Sequence, residues 1–94
     1  MHTDGMSREK ICGIILEKIE KISDHRTELM EEKRKGEFLT GPYWNLTAEQ
    51  MVYLYYEICS QFQIQIETRA LEQYRFATVN GIADIVAARL KAQS

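Results

Sequence analysis

Hydrophobic residues recur with helical spacing in three long stretches of the chain, and each stretch follows a residue that favours a helix N-terminus. The first follows Ser7, the second follows Thr47, and the third follows Thr78. Thr47 also forms a T-x-x-Q capping box with Gln50. The pattern therefore predicts three amphipathic helices with apolar faces that pack together. Their inward positions are Ile11, Ile15, Ile19, Ile22, Met51, Leu54, Tyr55, Ile58, Phe62, Val79, Ile82, Val86 and Leu90.

The connection between the first two helices has a weaker pattern. RTELMEEKRKG can form a short helical turn, and the charged run from Glu31 to Lys35 is typical of a solvated face. In EFLTGPYWN, the Gly41-Pro42 pair indicates a turn. We expect this loop to be held on the core by three buried anchors, Phe38, Leu39 and Trp44.

The segment between the second and last helices contains two further elements. FQIQIE alternates apolar and polar residues, which predicts an extended linker with Ile64 and Ile66 pointing inward. TRALEQYRF is typical of a short helix capped by Thr68. The chain is thus predicted to be all-α, a small four-helix bundle with a long first loop and a short third helix. We expect a single domain over residues 1–94, with residues 1–6 disordered.

Composition narrows the classes of function. The chain has 12 basic and 14 acidic residues, for a net charge of −2, which disfavours nucleic acid as the main partner. Cys12 and Cys59 lie in helical stretches without a CxxC motif, so we expect reduced core thiols. No membrane span or signal peptide is recognisable, which predicts a cytoplasmic protein without a membrane partner.

Signatures of catalysis are also missing from the sequence. It contains no Ser/His/Asp arrangement, no H-E-x-x-H motif and no phosphate-binding glycine loop. Its histidines, His2 and His25, lie in no metal-ligand spacing, and His25 is expected to be a solvated loop residue. We therefore expect neither an enzyme nor a metal site.

Two landmarks resemble acyl carrier proteins. YEICSQFQIQI is similar to the end of that family's second helix, and FATVNGIADIV is similar to the start of its last helix. The predicted order of elements also matches, with a long loop after the first helix and a short third helix. The resemblance implies an acyl carrier protein-type bundle and is most specific between Thr47 and Val86.

The family's attachment motif is absent. Its spacing, counted back from Phe62, implies a phosphopantetheine-bearing serine at position 48 within an Asp-Ser-Leu motif. This chain has Thr47, Ala48 and Glu49 there. A methyl group cannot form the phosphodiester bond, so we predict that 4′-phosphopantetheine and any other cofactor are absent. In this respect the chain resembles the acyl carrier-related proteins of peptide maturation systems.

The second helix also differs on the face that carrier proteins present to enzymes. Where the family has acidic residues, this chain has several tyrosines, a residue type enriched at protein interfaces. We expect Tyr53 and Tyr56 to be exposed and Tyr55 to lie inside. The candidate interaction residues are Glu49, Gln50, Tyr53, Tyr56 and Glu57.

These observations favour a monomeric, non-catalytic carrier-like docking protein whose partners are peptide-modifying enzymes. Two alternatives stay open. The chain can be a functional carrier with an attachment site that the motif comparison does not identify. It can also be an unrelated helical adaptor that shares the pattern by coincidence.

Overall fold

Three α-helices form the described part of the chain. The structure is a computed structural model and describes residues 7–23, 31–69 and 75–93. The α-helices are α1 (Arg8–Ile22), α2 (Ala48–Phe62) and α3 (Val79–Gln93), with 3-10 turns at Glu32–Gly36 and Arg75–Ala77. Those ranges contain no β-strand, which confirms the all-α prediction for them. Most of the predicted short helix, at residues 70–74, lies outside the described residues. Residues 1–6 and His25 also lie outside them.

The predicted caps determine where the helices begin. The Ser7 side chain accepts a hydrogen bond from the Lys10 amide at 3.1 Å, and the Thr78 side chain accepts one from the Gly81 amide at 2.9 Å. Each oxygen satisfies an amide that has no partner within its helix. At its other end, α2 stops at Gln63, which has a left-handed backbone with φ 54.

Helix α1 is the element against which the other two helices pack, since it contacts both α2 and α3. Its buried isoleucines meet residues of both helices and of the connecting segments in one core. Within the described residues, no polar or charged residue is buried. The buried residues are Ile11, Cys12, Ile15, Ile19, Leu39, Trp44, Leu46, Leu54, Ile58, Phe62, Ile64, Ile66, Phe76, Val79, Ile82, Ala83 and Val86.

The connection between α1 and α2 folds back over this core. The Leu39 amide donates to the Ala77 carbonyl at 2.7 Å, and the Leu46 amide donates to the Leu39 carbonyl at 2.8 Å. Trp44 is buried, and its indole N–H donates to the Arg34 carbonyl at 2.9 Å. The predicted anchoring of the loop by Leu39 and Trp44 is therefore confirmed.

The third predicted anchor of this loop is wrong. Phe38 is 55% exposed, whereas its neighbour Leu39 is fully buried. The backbone hydrogen bond from Leu39 to Ala77 fixes the Leu39 side chain toward the core, so the preceding side chain points away from it.

The extended linker after α2 follows its prediction. Ile64 and Ile66 are buried, while Gln65 between them is exposed. This is the alternation expected of extended backbone with one face on a core. Each helix within residues 7–23, 31–69 and 75–93 is too short or too polar to span a lipid bilayer.

The buried position of Leu54 predicts how a shorter side chain there changes the stability of the protein. Leu54 is fully buried, so Leu54→Ala should lower the free energy of unfolding by about 2–5 kcal/mol, through lost burial and the cavity left behind. Urea unfolding followed by circular dichroism measures this change. Val52→Ala is the matched control, because Val52 is 46% exposed on the same helix. Equal losses for both variants would contradict this position for Leu54.

Candidate functional site

The N-terminal end of α2 is the point at which the resemblance to acyl carrier proteins predicts an attachment serine. Helix α2 begins at Ala48, whose short side chain is exposed. The Thr47 side-chain oxygen, one residue earlier, accepts a hydrogen bond from the Gln50 amide at 3.1 Å. In return, the Gln50 side-chain oxygen accepts from the Thr47 amide at 2.8 Å. The predicted capping box is therefore confirmed, and it engages the hydroxyl next to Ala48.

Gln50 also ties α2 to α1. Its side-chain amide nitrogen donates to the Ile22 carbonyl at 3.3 Å, near the last turn of α1. That carbonyl is one of those left without a partner inside its own helix. Gln50 is half-buried, so it supports the fold in addition to being a candidate contact residue.

The tyrosines of α2 divide between the surface and the core. Tyr53 is 60% exposed and Tyr56 is 65% exposed, as predicted. Tyr55 is half-buried, and its hydroxyl donates a hydrogen bond to the Ile66 carbonyl. Val52, at 46% exposure, widens the apolar area beside the two exposed tyrosines. Val52 was not among the predicted contact residues, although its position on the helix, away from the buried stripe, indicates exposure.

A groove between α1 and α2 brings four of the five candidate residues together. Its volume is about 370 Å³, at the lower end for binding cavities. The fifth candidate, Tyr56, lines a separate groove of about 500 Å³ beside the extended linker. The sequence patterns gave no reason to include the α1 residues of the first groove. The residues lining the first groove are Lys21, Ile22, Glu49, Gln50, Tyr53 and Glu57.

The two acidic residues that line the groove, Glu49 and Glu57, differ in their ion pairing. The Lys18 ammonium lies 3.3 Å from the Glu57 carboxylate and links α1 to α2. Glu49 is exposed, and within the described residues no cation forms an ion pair with it. Helix α2 contains no lysine or arginine. Its outer surface therefore combines aromatic area with negative charge.

The two cysteines differ in their surroundings. Both are free thiols, and Cys12 is buried as predicted. Cys59 packs against the core but is only half-buried, and it lines the same groove as Tyr56, so the prediction of a core thiol is confirmed only in part for this residue. Within residues 7–23, 31–69 and 75–93, no group of three or more His, Cys, Asp or Glu side chains could hold a metal ion.

The surroundings of Tyr55 shift its titration. Partial burial raises the pKa of the Tyr55 hydroxyl above its ordinary value of 10.0, and the neighbouring Cys59 and Tyr56 raise this pKa further. Burial disfavours the phenolate, and negative charge on either neighbour would do the same. Tyr55 therefore remains a neutral hydrogen-bond donor at physiological pH.

The comparisons with known proteins found no match. No family model matches this sequence, and neither a curated protein nor a solved structure matches it. The resemblance to acyl carrier proteins therefore stays a prediction from the motifs.

Tyr55 should make the fold sensitive to alkaline pH. Because its folded pKa is raised above 10.0, its contribution to stability is complete below that pH. The contribution is lost as the pH rises through the folded value, since the unfolded chain releases the proton first. Urea unfolding across the alkaline range should show a smaller loss of stability for Tyr55→Phe than for the wild type.

The matched control is Tyr53→Phe, which removes a hydroxyl from an exposed ring on the same helix. This variant should keep the alkaline loss of the wild type. At neutral pH, Tyr55→Phe should be less stable than the wild type by about 0.5–1.5 kcal/mol, because the hydrogen bond to Ile66 is gone. An unchanged alkaline slope for Tyr55→Phe would contradict the role of this hydroxyl.

Proposed function

We propose that this chain is a non-catalytic, carrier-like docking protein that serves peptide-modifying enzymes and carries no phosphopantetheine. The proposal is supported mainly by the two residues at the start of α2, Thr47 and Ala48. The helix begins on the methyl side chain of Ala48, and the adjacent Thr47 oxygen is held in the capping box. A prosthetic arm needs a hydroxyl at this point, but Ala48 has none, and the oxygen of Thr47 already accepts a hydrogen bond in the cap.

The outer face of α2 supports a docking role. It exposes Tyr53, Tyr56 and Val52, three large apolar side chains within little more than one helical turn. Tyrosine rings contribute large contact area at interfaces while their hydroxyls stay hydrated. Three side chains are few compared with the roughly 20–30 residues that each partner contributes to a stable interface, which favours a transient contact.

One alternative keeps the carrier activity but moves the attachment point. Ser60 is exposed on α2 and has a hydroxyl. It lies 12 residues after Ala48, about 18 Å along the helix axis at about 1.5 Å per residue. A transferase that recognises the start of α2 would therefore not reach it. The remaining alternative is a helical adaptor unrelated to carriers.

Loading with a prosthetic arm tests the missing attachment site. The wild-type chain, incubated with coenzyme A and a phosphopantetheinyl transferase of broad specificity, should show no mass increase in intact-protein mass spectrometry. Ala48→Ser should also stay unmodified, because the flanking Asp and Leu of the motif are absent. An authentic carrier protein in the same reaction is the positive control.

A pantetheine-sized mass gain on the wild-type chain would overturn the proposal. Peptide mapping would then locate the modified hydroxyl and distinguish Ser60 from Thr47.

The exposed tyrosines can be tested by partner recovery. Tagged wild-type chain should recover peptide-modifying enzymes from a lysate of the native host, identified by mass spectrometry. A Tyr53→Ala, Tyr56→Ala double variant should recover at least about tenfold less, since interface aromatics each contribute about 1–2 kcal/mol or more. Phe38→Ala is the matched control, because Phe38 is 55% exposed but lies outside α2.

Circular dichroism first establishes that both variants are folded. Undiminished recovery by a folded double variant would remove this face from the proposal.

A further inference from the structure

The guanidinium group of Arg34 contacts both an aromatic ring and a carboxylate of the same chain. In the loop before α2, the Arg34 guanidinium carbon lies 4.1 Å from the centre of the Tyr43 ring. One of its nitrogens donates to both Glu37 carboxylate oxygens, at 3.2 and 3.1 Å. The cation thus receives a ring face and a carboxylate together. Arginine favours this combination, because its planar group stacks on aromatic rings and pairs with carboxylates.

The groove between α1 and α2 offers the same two kinds of group. Tyr53 is 60% exposed, with Glu49 four residues before it and Glu57 four residues after it. Residues four apart lie about 6 Å apart along a helix and share one face. The ring of Tyr53 therefore lies between two carboxylates along one face of α2. Over the ranges that the structure describes, no cation is stacked on this ring.

The positions of two lysines determine whether Glu49 or Glu57 can pair with an added cation. Lys18 already pairs with Glu57 at 3.3 Å, so that charge is largely compensated. Lys21 lines the groove and would repel a second cation. Glu49 is exposed and has no such partner within the described residues, so it is the carboxylate on which an incoming cation would settle.

We propose that this groove binds an arginine side chain of a partner protein. The guanidinium group lies on the ring of Tyr53 and pairs with the carboxylate of Glu49. A volume of about 370 Å³ suits one inserted side chain better than a whole helix. Lysine fits less well, because its ammonium group is compact and strongly hydrated. The identity of the partner as a protein rests on the proposed function, whereas the guanidinium chemistry does not.

Short peptides test this chemistry directly. The full chain, labelled with ¹⁵N, is titrated with acetyl-Gly-Arg-Gly-amide, and the initial slope of the amide shifts of Glu49 and Tyr53 is measured. The matched probes contain citrulline, which is neutral and nearly isosteric, or lysine, which has the same charge. We expect the arginine slope to exceed the citrulline slope at least about threefold, with lysine between them.

We expect substitutions in the groove to change the arginine slope in opposite directions. Glu49→Gln and Tyr53→Leu should each reduce the arginine slope about two- to fivefold, as expected for an exposed ion pair or ring contact. Lys21→Gln should increase it, because this change removes the like charge from the groove. Phe38→Leu, which alters an exposed ring outside the groove, should leave the slope unchanged.

Three outcomes would overturn the inference. The first is equal slopes for arginine and citrulline, the second is equal slopes for arginine and lysine, and the third is a wild-type slope in Glu49→Gln and Tyr53→Leu. Each variant is checked for a folded spectrum first. The transferase experiment is independent, because a pantetheine mass gain would overturn the proposed function and leave the peptide titration unaffected.

Discussion

The reciprocal hydrogen bonds between Thr47 and Gln50 determine where α2 begins and what its first turn can do. They satisfy two amides at the helix end and hold the Thr47 oxygen against the backbone. They also fix the Gln50 side chain, whose amide nitrogen reaches the Ile22 carbonyl of α1. Gln50 thus connects the cap of α2 to the end of α1, beside the groove that both helices line.

Close to this cap, α2 contains both a residue that supports the fold and residues whose side chains are exposed. Gln50 is committed to the fold by its three hydrogen bonds. Glu49 and Tyr53 lie on the neighbouring turns of α2, and their side chains are exposed at the groove that α2 forms with α1. In the proposed interaction, the backbone beneath these side chains is already held by the hydrogen bonds of the cap, which lowers the entropic cost of association.

Helical periodicity and capping chemistry made most of this fold predictable. The starts of α1, α2 and α3 were readable because Ser7, Thr47 and Thr78 each satisfy a local amide, an effect confined to a few adjacent residues. Exposure of Tyr53 and Tyr56 followed from the same periodicity. Phe38 was not predictable in this way, because an irregular loop has no period and its orientation depends on the contact of Leu39 with Ala77.

The groove was only half predictable for a related reason. Its α2 side comes from one helical face, which the sequence shows. Its α1 side, Lys21 and Ile22, depends on how two helices pack across a long connection, and no local pattern specifies that contact. Cys59 is a similar case, since its partial exposure depends on the path of the linker beyond Gln63.

Trp44 has a practical consequence for studying this protein in solution. It is the only tryptophan in the chain, it is buried, and its indole N–H is bonded to the loop backbone at Arg34. Its fluorescence emission therefore reports whether the connection stays docked on the core. Far-ultraviolet dichroism reports the helices, so a comparison of the two signals during denaturation would separate release of this segment from melting of the bundle.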